Sequence, residues 1–171
     1  MKITPALATA LEDQITLELS ASIVYLQLAV HLEDQDLTGM SRWMRAQAEE
    51  EQVHAAKFIQ HALDRGLAPQ IGAIEAPKIV GSTPVELFRA ALAHEETVSE
   101  AIRDLYRTAQ DEGDIDILPL LNWFLTEQVE EEASVGEIVG RLELIKDDGA
   151  GVLRIDSELG SRTPDIDADA E

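Results

Sequence analysis

The sequence predicts an all-α fold, a four-helix bundle with one long crossover between its second and third helices and a short fifth helix. Three observations lead there. Four long stretches repeat apolar residues in alternating steps of three and four, the spacing of one helical face. Residues 67–82, between the second and third stretches, carry Gly, Pro and Ala without that period. Apart from a few extended residues in that connection, no strand alternation competes.

The first helix runs from Thr4 to Asp34, with the stripe Leu7, Leu11, Ile15, Glu18, Ser22, Tyr25, Ala29, Leu32. Thr4 before Pro5 reads as an N-cap followed by proline in the first turn. Gly39 marks the turn into the second helix, which ends near Gly66, a C-terminal glycine signal. Its stripe is Met40, Met44, Gln47, Glu51, His54, Phe58.

The connection 67–82 is long for a compact domain. A helix of roughly 27 residues is about 40 Å long, and an extended segment of this length reaches roughly 50 Å. The connection can therefore return along the whole bundle and leave the second and third helices parallel. The connections near 35–39 and 111–115 are too short for that and imply antiparallel neighbours.

Thr83, Pro84 and Glu86 form a capping box with proline at the first helical position of the third helix. Its stripe is Phe88, Leu92, Glu95, Ser99, Ile102, Tyr106. The fourth helix begins near Asp114 or Asp116, either of which serves as a cap, with Pro119 in or just after its first turn. Its stripe is Phe124, Gln128, Glu131, Val135, Ile138, Leu142, Ile145, and Asp147, Asp148 and Gly149 end it. The apolar piece Val152 to Leu159 makes the fifth helix. Residues 1–160 form one domain, and 161–171 an acidic tail whose composition predicts disorder.

Composition narrows the function classes. The chain has 171 residues and 45% apolar content, enough for a sizeable core. Cysteine is absent, which excludes disulfides, thiolate metal sites and cysteine nucleophiles and accords with a cytoplasmic location. Acids number 34 against 13 Lys plus Arg, a net charge of −21 that repels phosphate backbones and attracts cations. Nucleic acid is therefore not an expected partner. Glu12 and Asp13 interrupt any signal-peptide pattern. The uncharged stretch near Trp123 is too short to span a bilayer, so no membrane partner is expected.

Each long stripe carries a carboxylate near its middle: Glu18, Glu51, Glu95 and Glu131. Buried carboxylates are costly unless something positive meets them. No Lys or Arg lies at the same depth on the stripes, so a bound metal pair is the natural compensating charge. Glu51 and His54, three apart, share one helical face. Glu-x-x-His alone is a weak motif; its position gives it weight. In an up-down bundle the helix midpoints stay level whichever way each helix runs, so the five residues meet in one slab. Carboxylates with imidazole suit a divalent first-row metal. Glu51 is placed to bridge two metals, with Glu18 and His54 on one side and Glu95 on the other. Tyr25, two turns beyond Glu18, reads equally as a core tyrosine, a hydrogen-bond partner of a ligand or an electron donor.

Leu17-Glu18-Leu19 through Tyr25, Glu49-Glu50-Glu51-Gln52-Val53-His54, His94-Glu95 and Glu127-Gln128-Val129-Glu130-Glu131 resemble the ferritin family, specifically its non-haem bacterial members. Arg154-Ile155-Asp156-Ser157-Glu158-Leu159 resembles that family's short fifth helix. The resemblance covers residues 1 to about 160, and a one-crossover bundle with inward carboxylates is that family's known architecture.

The resemblance implies a ferroxidase and iron store. Glu18, Glu51 and His54 match the first iron site, and Glu51, Glu95 and Glu131, with Gln128 nearby, the second. Glu50, Glu127 and Glu130 match an extra site of bacterial ferritins, with Glu131 shared. Fe²⁺ is then oxidised by O₂ or H₂O₂ at the paired site, and ferric product mineralises inside a homo-oligomeric shell of twenty-four subunits. Glu132, at the end of the acidic run, is expected to be solvated.

Some positions depart from relatives of the family. Bacterioferritins carry a second Glu-x-x-His where this chain has Gln128-x-x-Glu131. Their haem-ligating methionine falls on Gln52, so no haem is expected. The acids that line the three-fold pores of animal ferritins fall on Leu118 and Leu121, leaving Asp114 and Asp116 as neighbouring acids. His31, His61 and His94 read as surface or interface residues. The alternative is another di-metal bundle enzyme, an oxygenase-like or rubrerythrin-like peroxide reductase. That class usually has two Glu-x-x-His motifs. The starvation-type mini-ferritins lack the terminal helix and fit less well.

Overall fold

The computed structural model describes residues 2–161. Five helices fill it: α1 (Pro5–Glu33), α2 (Thr38–Asp64), α3 (Pro84–Asp111), α4 (Leu118–Ile145) and α5 (Gly149–Ser161). No strand occurs among the described residues. The expected tail lies outside them, apart from Ser161, which belongs to α5.

The helix boundaries follow local chemistry. Thr4 caps α1, its hydroxyl oxygen accepting from Leu7 N at 3.4 Å, with Pro5 in the first turn. Asp36, at φ 60°, and the Leu37 N to Leu32 O bond of 3.0 Å turn the chain into α2. At the other end of α2, Gly66 (φ 77°) provides the left-handed residue expected after a helix. The crossover is tied along α1: Gln70 N donates to Glu12 Oε1 and Gly72 N to Thr16 Oγ1, each at 2.9 Å. The capping box of α3 is present, Glu86 Oε2 accepting from Thr83 N at 3.0 Å and Ser82 N at 2.9 Å. Those bonds hold the Glu86 carboxyl down to about 2.

Two expectations are corrected. Neither Asp114 nor Asp116 is the N-cap of α4; Ile117 is, without a side-chain bond. Asp114 Oδ1 instead accepts from Asp116 N at 3.2 Å and Ile117 N at 3.3 Å, organising the turn before the helix. Its carboxylate takes the Arg65 guanidinium through two bonds of 2.9 and 2.6 Å, and Arg65 holds Asp114 below its usual range. The fifth helix runs from Gly149, longer than the segment beginning at Val152. The helix long and apolar enough by composition to cross a membrane is α1, not the stretch near Trp123. In this fold α1 is a bundle element packed on α2 and α3.

Gly39 lies inside the first turn of α2 rather than marking the turn before it. A Cβ there would sit 1.9 Å from the backbone oxygen of Asp156, so glycine is required by the close approach of α5. The contact also supplies a cap. Leu37 offers α2 no side-chain acceptor, and Asp156 Oδ1 accepts from Met40 N at 2.8 Å. Gly39→Ala is expected to lower stability by roughly 1–3 kcal/mol through overpacking. Asp156→Ala should cost about 1 kcal/mol, the loss of a cap. Thermal unfolding reads both, and an unchanged midpoint for Gly39→Ala would contradict this docking of α5.

The apolar core divides in two. One cluster joins Tyr25, Leu28 and Leu32 with Met40, Met44, Phe88, Val135, Ile138, Leu142, Ile155 and Leu159. The other joins Leu7, Leu11 and Ile15 with Phe58, Ile102, Leu105, Leu121 and Phe124. Early α2 thus meets early α3 and late α1, which makes α2 and α3 parallel and α1 antiparallel to both. Between the clusters lies a belt of buried polar side chains: Glu18, Ser22, Gln47, Glu51, His54, Glu95, Ser99, Gln128 and Glu131.

Candidate metal centre

The belt forms because each helix carries its polar stripe residue halfway along. Glu18, Glu51, His54, Glu95, Gln128 and Glu131 are all buried. Ligand atoms of Glu18, Glu51 and His54 lie within 4.8 Å of one another, a set able to hold one metal ion. A second such set, on the same criterion, is Glu50, His54, Glu127 and Glu131. Glu95 belongs to neither set; its carboxylate faces Tyr25, Gln128 and Glu51. Glu130 is exposed on α4 and also lies outside both sets.

Specific bonds orient the acids. Gln14 Nε2 donates to Glu18 Oε1 at 2.8 Å, while Glu18 Oε2 is buried without a hydrogen-bond partner. His54 Nδ1 lies 3.3 Å from Glu51 Oε2, and its Nε2 is buried without a partner. Tyr25 Oη donates to Glu95 Oε1 at 2.5 Å, and Gln128 Nε2 to Glu95 Oε2 at 3.1 Å. Gln47 Nε2 donates to Glu131 Oε2 at 3.0 Å and to Glu50 Oε2 at 3.3 Å. The hydrogen bond from Tyr25 to Glu95 makes it more than a packing residue.

Electrostatics follows from crowding acids in a dry slab. Burial pushes Glu18 up to about 7, opposed by its bonds to Glu51 and Gln14. Burial, then the charges of Glu95 and Glu18, carries Glu51 well above the usual carboxyl range. Burial also raises Glu95, against its bonds from Tyr25 and Gln128. Glu131 reaches about 9 through burial and the charges of Glu95, Glu50 and Glu127. His54 falls to about 4 through burial and the charge of Lys57, so its imidazole is neutral near pH 7. Lys57 does not compensate the acids; its Nζ sits 4.5 Å above the Trp123 ring.

A divalent cation fits this donor set. The unpartnered Glu18 Oε2, the unpartnered Nε2 of the neutral His54 imidazole, and the carboxyls raised by burial and then by their neighbours' charges all gain from a nearby positive charge. Binding would displace carboxyl protons.

Several supporting residues carry no assigned role in the sequence reading. Gln14, Gln47 and Ser99 each lie four positions from a stripe glutamate, on the same helical face, and that spacing is the signal that could have found them. Glu132 is corrected: it is half-buried and accepts from Ser99 Oγ rather than standing in solvent. His94 is half-buried, its Nε2 without a partner. His61 is half-buried, 3.5 Å from Arg65 Nη1, and His31 is exposed. Gln52 is exposed and donates to Ser22 Oγ at 3.1 Å.

Fold and site together define a helical bundle with a buried carboxylate–histidine cluster able to hold metal. The chain belongs to the ferritin family, whose model, described as a ferritin-like domain, matches residues 8–145. It is 35% identical over 159 residues to the bacterial non-heme ferritin of Staphylococcus aureus (strain MRSA252), covering 93% of this chain and 96% of that protein. The bacterial non-heme ferritin of Escherichia coli O6:H1 (strain CFT073) is 30% identical over the same shares. Among solved structures, an open pore ferritin from the hyperthermophilic archaeon Archaeoglobus fulgidus superposes with a TM-score of 0.92 at 35% identity. That match covers 95% of this chain and 100% of the archaeal one.

Proposed function

We propose that this protein stores iron by oxidising Fe²⁺ at the buried centre and mineralising the ferric product inside a shell of twenty-four copies. Family membership supports iron storage. The observation that carries the oxidase reading is the ligand set Glu18, Glu51 and His54 in the middle of the bundle, with the buried carboxyls of Glu95 and Glu131 in the same belt. Fe²⁺ is the substrate. Glu18, Glu51 and His54 hold one ion; Glu51, Glu95 and Glu131, with Gln128, hold the second. Glu50 and Glu127 with Glu131 form a third position, to which Glu130 is assigned by resemblance alone.

The residues serve distinct tasks. His54 offers a neutral nitrogen lone pair at Nε2. Glu51 lies between the two positions and bridges them. Gln14 and Gln47 orient Glu18 and Glu131. The apolar clusters above and below the belt exclude bulk water, which strengthens every charge interaction inside. Two Fe²⁺ supply two electrons. With two protons these reduce O₂ to H₂O₂, or H₂O₂ to two waters. Carboxyls raised toward 7 and 9 shed protons when they bind Fe²⁺, in the direction that the reduction consumes them.

Adding Fe²⁺ in air to apo-protein tests the proposal, with ferric absorbance followed in time and the particles then sized. Fast oxidation followed by iron-loaded shells is the expected result. A discrete monomer that retains two irons and forms no mineral would point to a rubrerythrin-like or other di-metal enzyme instead.

A further inference from the structure

The α3–α4 side of the centre contains a hydrogen-bonded chain with no role so far. Gln128 Nε2 lies 3.4 Å from the Glu95 carbonyl oxygen, 3.1 Å from Glu95 Oε2 and 3.2 Å from Ser99 Oγ. Ser99 is buried and donates its hydroxyl hydrogen to Glu132 Oε1. Arg103 Nη2 stands 3.9 Å from that same carboxylate oxygen.

A serine hydroxyl has one hydrogen and otherwise accepts. With that hydrogen committed to Glu132, Ser99 can only accept from Gln128. Ser99 Oγ and the Glu95 backbone carbonyl can then only accept, and Glu95 Oε2 accepts whenever its carboxyl is ionised, as a metal ion beside it requires, so the amide nitrogen belongs there and the carbonyl oxygen on the opposite side. A rotated amide would set an oxygen against three oxygens in a buried slab. Were the Ser99 hydrogen free, it could turn to the Gln128 carbonyl, and both amide orientations would find partners.

We propose that Ser99 and Glu132 are positioning residues that lock the Gln128 amide, keeping its carbonyl oxygen free as a ligand for the metal position beside Glu95. This rests on the metal-centre reading above. Neither residue touches metal in this scheme. Their effect passes through Gln128 and is confined to one of the two positions.

Co²⁺ titration of the assembled apo-protein, followed by calorimetry, tests this, with anomalous diffraction from Co²⁺-soaked crystals giving occupancy at each position. Ser99→Ala and Glu132→Ala should weaken the position beside Glu95 by about 10–100-fold, the range for loss of an outer-shell partner. The position at Glu18 and His54 should stay as in the parent. Ser99→Thr keeps the hydroxyl and should restore parent affinity, which a packing effect would not predict. In a Gln128→Leu background, Ser99→Ala should add no further loss. Unchanged affinity in both alanine variants, equal weakening of both positions, or a Ser99→Thr protein as weak as Ser99→Ala would each overturn the proposal. A parent protein that binds no Co²⁺ pair would overturn the metal-centre reading, and this inference with it. The two failures are therefore told apart by whether the parent or only the variants misbehave.

Discussion

Glu51→Ala and His54→Ala should each slow the fast phase of Fe²⁺ oxidation by about 100-fold or more while the shell still assembles. Loss of an outer-shell partner already costs about 10–100-fold, and these two are assigned as direct ligands. Glu51 is the residue assigned to both proposed iron positions, and His54 is assigned to the first of them, its ligand atoms lying within 4.8 Å of those of Glu18 and Glu51. Assembly should survive because neither side chain reaches the surface. Removing Glu51 also relieves repulsion, since Glu95 and Glu18 both disfavour its charge. Stopped-flow ferric absorbance and size-exclusion chromatography read the two properties separately. Initial rates within a factor of about three of the parent in both variants would contradict the assignment.

The second large effect is a fall in apo-protein stability as pH rises. Glu18 and Glu131 have folded-state values of about 7 and about 9, above the ordinary 4.5. For a raised carboxyl, the folded state binds more protons than the unfolded state in the interval between the two values. Its contribution is fully present below about pH 4.5 and is lost as pH rises through 7 for Glu18 and through 9 for Glu131. A shift of the size seen at Glu18 corresponds to about 3 kcal/mol. The apo-protein should therefore melt progressively lower between about pH 5 and pH 9. A saturating non-oxidisable divalent ion such as Zn²⁺ should raise the midpoint most at the alkaline end, because bound metal replaces the lost protons. Glu131→Gln should flatten the apo profile. Calorimetric scans across that range decide the matter, and an apo midpoint that rises with pH would contradict the buried-acid picture.

Much of this architecture was legible because helical periodicity is a local property. Stripes such as Leu7, Leu11, Ile15 and Glu18 place their members on one face whatever they pack against. The capping box at Thr83 and Glu86 was legible for the same reason, its bonds spanning three residues. Midpoint carboxylates were predicted to be level, and the belt between the two apolar clusters shows them so. Contacts between distant segments were not legible. Gly39 looked like turn punctuation, but its need for no side chain comes from Asp156, far along the chain. Asp114 looked like a helix cap, yet its main partner is Arg65.

Residue spacing alone determined the four long helices, the parallel pair joined by the crossover, and the acids at mid-height, since each depends on a repeat or a chain length. Tertiary structure decided which atoms meet. It left His54 Nε2 and Glu18 Oε2 unpartnered, drew Glu132 out of the acidic run to Ser99, and used α5 to cap α2. Hydrogen bonds act over about 3 Å, so helix rotation and approach select among partners that one chain's pattern leaves equivalent.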